Sequence, residues 1–110
     1  MYIFLYMTQD KITTVIISES TKPNKKNQAE VNGKVIHFGA AGYSDFTHHK
    51  DVARKDRYIQ RHKANANFTK SGIATAGYLS RFVLWNKSTV KGSINDLNNK
   101  YKDVRFKMKT

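Results

Sequence analysis

The dipeptide Asn32-Gly33 narrows the choice of fold more than any other feature of this chain, because both residue types tolerate the positive φ angles of a type I′ turn. Short runs flank it, residues 28–31 and 34–38, so the segment reads as a β-hairpin. Upstream, residues 2–7 and 13–18 are rich in aromatic and β-branched side chains and read as two more strands, separated by polar residues 8–11. Residues 21–27 (TKPNKKN) hold the sole proline and three lysines and read as an exposed loop. Glycine, serine and aspartate scattered through residues 39–51 predict an irregular link leading out of the sheet.

Beyond that link the apolar spacing changes from strand-like to helical. Over residues 51–66, Val52, Tyr58, Ile59 and His62 fall near one face, with Arg54, Lys55, Arg57, Arg61 and Lys63 around the remainder, which predicts a basic amphipathic helix. A second helix, capped by Thr69 or Ser71 and running to Trp85, carries Ile73, Ala74, Tyr78, Leu79, Phe82, Val83 and Trp85 over most of its circumference and is the expected central core helix. Gly77 within it costs about 1 kcal/mol relative to alanine, so its presence predicts that another element approaches closely there. A third helix is capped by Ser88 or Thr89, with Val90, Ile94, Leu97 and Tyr101 at helical spacing, before residues 102–110, read as a basic tail. The expected fold is therefore α+β: a small amino-terminal antiparallel sheet with a β-hairpin, followed by two or three packed helices. Its 110 residues make one domain on length, with 1–21 as leading strands and 28–101 as the core.

Twenty Lys and Arg against eight Asp and Glu give a formal charge of +12, spread along most of the chain. Solubility alone calls for a net charge of about 2 to 8. The excess raises self-repulsion in the compact state and points to a polyanion or an acidic protein surface as partner. The absence of cysteine excludes disulfides, thiolate catalysis and cysteine-ligated zinc, and fits a reducing compartment. The apolar residues 1–7 have no basic residues before them and no small-residue cleavage pattern, so a strand is expected there and not a leader. The longest later apolar stretch, residues 73–85, is shorter than the roughly 20 residues that cross a bilayer, so no membrane span is expected.

Motifs for catalysis are sparse. No Gly-rich loop leads into Lys and Ser/Thr, and neither GxSxG nor GxGxxG occurs, which leaves nucleotide hydrolysis and serine-hydrolase chemistry without support. The four histidines, His37, His48, His49 and His62, are the conventional metal ligands present, yet they follow no ligand spacing, and adjacent histidines on a regular element point apart. A metal-dependent nuclease would draw on Asp45, His48, His49 and Asn65 to hold a cation near a scissile phosphate, a reading that rests on residue types alone. No cofactor is expected. The basic helix offers more: Lys50, Arg54, Lys55, Arg57, Arg61 and Lys63, with Lys70 beyond them, present cations over about 20 Å, enough to span several phosphates. Tyr43, Phe46, Tyr58 and Phe68 lie near these cations as candidates for stacking on unpaired bases.

The pieces His37-Phe38-Gly39, Gly42-Tyr43-Ser44-Asp45, His49-Lys50-Asp51, Arg57-Tyr58-Ile59, Arg61-His62, Ser80-Arg81 and Leu84-Trp85-Asn86 resemble an uncharacterised family of small basic proteins encoded by large nucleocytoplasmic DNA viruses. The resemblance covers roughly the last two thirds of the chain and leaves out the residues before Lys22; Val52 stands where proline is usual and Phe68 where tryptophan is common. It implies a protein made in the cytoplasm or nucleus of an infected host cell, or carried in the particle, and brings no activity with it. Non-enzymatic, sequence-independent binding of nucleic acid, DNA ahead of RNA, is the leading expectation. A minor capsid or other virion structural protein that meets acidic surfaces is the second, and the nuclease the third.

Overall fold

The computed structural model describes residues 12–110, and the strand expected over residues 2–7 lies outside them. Three strands, β1 (Thr13–Glu19), β2 (Lys25–Val31) and β3 (Lys34–Ala40), form an antiparallel meander. Asn32 and Gly33 sit at φ 51° and 81° and Val31 pairs with Lys34 across them, so the dipeptide makes the two-residue turn its chemistry demands. Strand side chains alternate between faces, and Val15, Ile17, Ala29, Val31, Ile36 and Phe38 are buried at every second position. β2 begins inside the stretch expected to be loop, which closes at a tight turn where the Lys25 N–H donates to the Lys22 carbonyl at 3.2 Å.

Residues 102–110 are not a tail. Val104–Met108 form β4, which pairs in parallel with β1 and completes a sheet of order β3-β2-β1-β4. Val104 and Phe106 enter the core while Arg105 and Lys107 stay exposed, so the alternation was present, in a run too short and too cationic to read as a strand. Among the described residues, one side chain bonds both backbone groups of Phe106 in β4. Asn98 donates through Nδ2 to the Phe106 carbonyl at 2.9 Å and accepts the Phe106 N–H at 2.7 Å, standing in for a neighbouring strand.

Helices lie against the apolar face of this sheet, giving the α+β fold. The irregular link contains a short helix, α1 (Phe46–His49), capped by Asp45. The basic helix, α2, spans Val52–His62 and is four residues shorter at its end than the apolar pattern predicts, because residues 63–65 turn. The expected core helix over 69–85 is broken into a 3-10 turn (Lys70–Gly72), a short helix α3 (Ala76–Leu79) and a π-helical stretch (Ser80–Leu84). Thr75, not Thr69 or Ser71, caps α3, its Oγ1 accepting the Tyr78 N–H at 3.3 Å. Gly72 enforces the break, since a Cβ there would stand 2.3 Å from the Asn67 carbonyl oxygen. The close approach expected at Gly77 is real: a Cβ there would meet that of Ala66 at 3.1 Å. The last helix, α4 (Val90–Lys100), is capped by Thr89 and buries Ile94 and Leu97, with Val90 and Tyr101 packed at the margin of the core.

Candidate functional site

Helix α2 is fixed at both ends by local chemistry. Lys50, at φ 55°, ends α1 in the left-handed region and its Nζ donates to the Thr47 carbonyl at 2.6 Å; Asp51 then caps α2 by accepting the Arg54 N–H at 3.2 Å. Tyr58 is the buried residue of α2. Its ring lies parallel to Trp85 (centroids 4.2 Å apart, 3° between planes) and carries His62 at 4.2 Å, so both of its faces are taken. His49 rests against Trp85 at 5.3 Å and accepts the Asp51 N–H through Nδ1 at 2.9 Å, while its buried Nε2 has no partner among the described residues. Burial, then the neighbouring Arg54 guanidinium, push the His49 imidazole below its usual range.

The cations expected to act together divide into two groups. Lys55 is a structural tie: its Nζ donates to the Asn86 carbonyl at 3.1 Å and sits 4.6 Å over the Phe46 ring, fastening α2 to the segment after the π-helical stretch. Lys70 pairs with Asp103 at the start of β4, away from α2, and lies 5.8 Å over Tyr101. Lys50 is spent on its own helix end. Arg54, Arg57 and Arg61 are exposed, fall within an arc of roughly 60° at 100° per residue, and make no ion pair among the described residues. Lys63, also exposed, comes out on the opposite side of the helix.

Arg54 and Arg61 line a cleft of about 510 Å³ together with Lys25 and Lys26 at the start of β2 and Tyr43 in the loop after β3. Ala76, Gly77, Ser80, Leu84 and Trp85 also line it. Within that lining Gly39, at φ 80°, lets β3 pass close to Leu84, where a Cβ would come within 2.6 Å of Cδ1. Lys26 is not available to a ligand. It bonds Asp45 at 2.7 Å, and Asp45, 1 % exposed, also accepts from the N–H and hydroxyl of Thr47. Burial pushes the Asp45 carboxyl up, but the Lys26 ammonium and the Thr47 donors outweigh it and hold the group below its ordinary value. The half-buried Arg81 is likewise structural, donating to the Trp85 carbonyl at 2.8 Å over the Phe82 ring.

The histidines serve separate places: His37 bonds Ser20 at 2.8 Å, His48 stands 3.6 Å from Asp45, His49 and His62 pack on Trp85 and Tyr58. Among the described residues no group of three or more His, Cys, Asp or Glu is placed to hold a metal ion, and Asn65, the remaining residue of the nuclease reading, engages His62 through its backbone. No helix among them is long and apolar enough to cross a membrane. Two contributors to the site escaped the sequence reading. Lys25 was folded into a loop that is half strand, and Trp85 was given to the core although it supplies the surface on which α2 seats.

No curated protein and no solved structure matches the chain. Residues 15–62 match the model of a family of unknown function (DUF5754). The match covers less than half of the chain, from within β1 to the last residue of α2, and so takes in strand residues before Lys22 that the viral resemblance left aside. The chain is similar to that family over the meander, the short helix α1 and the arginine-bearing helix that together form two walls of the cleft.

Proposed function

We propose that the protein binds nucleic acid without catalysis and without regard to sequence, through the arginine stripe of α2 and the cleft beside it. The observation that carries this reading is the grouping of Arg54, Arg57 and Arg61: Lys55, Lys26, Lys70 and Lys50 are committed to Asn86, Asp45, Asp103 and a helix end, while these three face solvent together on one side of one helix. Guanidinium groups in such a row bond phosphate oxygens in pairs and release counterions, a contact that reads charge and spacing but not bases. By its resemblance to proteins of large DNA viruses, the ligand is the nucleic acid of an infected cell, DNA ahead of RNA.

The test is a salt series on the pure protein with labelled DNA and RNA. Changing Arg54, Arg57 and Arg61 together to Gln should weaken binding and make the slope of log K against log salt shallower by about 2 to 3. The control removes equal charge elsewhere, at the exposed Lys63, Lys91 and Lys102. Equal losses in the two triple variants would reduce the stripe to a share of the general charge and sink the assignment.

A further inference from the structure

Building on that reading, we infer that the cleft seats an unpaired strand, with Tyr43 as the surface on which a base stacks and Arg54, Arg61 and Lys25 holding the phosphates. Two of the three arginines of the stripe, Arg54 and Arg61, line a recess. A recess of about 510 Å³ falls within the range that admits one small ligand, whereas a duplex is read by an element that projects into a groove about 12 Å wide. Helix α2 is not open on every side. Its Tyr58 side is held against Trp85, and its Arg54 and Arg61 share the cleft lining with Lys25 and Tyr43. A duplex would ride across the rim; a single nucleotide can enter. The small residues Ala76, Gly77 and Ser80 are part of the lining.

The aromatic side chains near the cations differ in what they offer. Phe46 is buried beneath Lys55, Tyr58 has both faces covered, and Phe68 packs edge-on against Phe82. Tyr43 is 74 % exposed at the mouth of the cleft and has no aromatic neighbour among the described residues. An exposed aromatic ring has a cost in water, and here it lines the same cleft as the two arginines. Its backbone is held: the Tyr43 N–H donates to the Ala40 carbonyl at 3.3 Å, Gly42 turns the chain at φ 88°, and two residues on Asp45 is anchored by Lys26. A ring so placed loses little freedom when a base lies on it, and every base has a face to offer.

The experiment compares labelled oligo(dT), oligo(U) and a duplex of equal length by fluorescence anisotropy, with wild type, Tyr43→Ala and Tyr43→Phe. The duplex carries twice the phosphates, so charge alone would favour it; tighter binding of the single strands is the expected result. Tyr43→Ala should lower single-strand affinity by about five- to a hundredfold, as loss of one stacked base does, with duplex binding and the salt slope unchanged, and Tyr43→Phe should bind like wild type. Because Tyr43 is exposed, both variants should keep the wild-type circular dichroism. Duplex binding as tight as single-strand binding, or a Tyr43→Ala loss that is equal for all three ligands or absent, would overturn this inference and leave the arginine stripe standing. Failure of all three ligands to bind at low salt would overturn both.

Discussion

Lys25 and Lys26 are neighbours of the same type with different fates, because Asp45 lies within 2.7 Å of one of them. No reading of the chain could separate them, since the pairing joins the sheet to a helix cap formed 19 residues later. The consequence is a pH dependence. Asp45 has a depressed folded-state pKa, so its contribution to stability is complete above its ordinary value of 3.8 and is lost as pH falls through the lower folded value. The share of acid destabilisation that comes from Asp45 should therefore set in below pH 3.8, and Asp45→Asn should be less stable at neutral pH but lose less over that acid range, read by circular dichroism. Gly39 makes a second residue-scale test. Alanine there meets Leu84 inside the core and is strained at φ 80°, so Gly39→Ala should cost about 2 kcal/mol in urea unfolding. Gly33, at a similar φ but with nothing within 4 Å, should accept Asn for under about 1 kcal/mol.

At the scale of elements, what was legible is what is set by adjacent residues. The turn at Asn32-Gly33 and the cap at Thr89 each place donors and acceptors within three positions of one another, and the first is legible outright while the second is narrowed to Ser88 or Thr89. The break within residues 69–85 was not, because it follows from the collision a side chain at Gly72 would have with Asn67 and from the i→i+5 bond of Trp85 N–H to Ser80, which no periodicity announces. That bond lets Leu84 point into the core while Trp85 turns to Tyr58. β4 escaped for a related reason: its partner is a strand some ninety positions earlier. The Asn98 bridge belongs to this scale too. Asn98→Leu leaves the Phe106 N–H and carbonyl without a protein partner, so a loss of about 1 kcal/mol and concentration-dependent self-association by light scattering are expected.

For the molecule as a whole, the basic fold and the basic site respond to salt in opposite directions. With a formal charge of +12 the free protein repels itself, so added salt should raise its melting temperature while weakening its hold on nucleic acid. Calorimetry of the free protein beside the binding series reads both signs. Removal of residues 102–110 tests the closure of the sheet. If they were a tail, truncation would be silent; because Val104 and Phe106 are core residues, the shortened chain should fail to unfold cooperatively, and Phe106→Ala alone should cost about 3 to 5 kcal/mol.

Strand β4 is also the last part of the sheet to be synthesised, paired with the first strand of the meander. At about 5 to 20 residues per second, the open edge of β1 waits roughly 5 to 20 seconds between the appearance of residue 19 and that of residue 108. During that interval the backbone groups of residues 13–17 that will pair with β4 offer a template to any extended strand nearby, including another nascent copy. Asn98 is made before β4, so the guard of the outer edge is already on its helix when the strand that closes the inner one arrives.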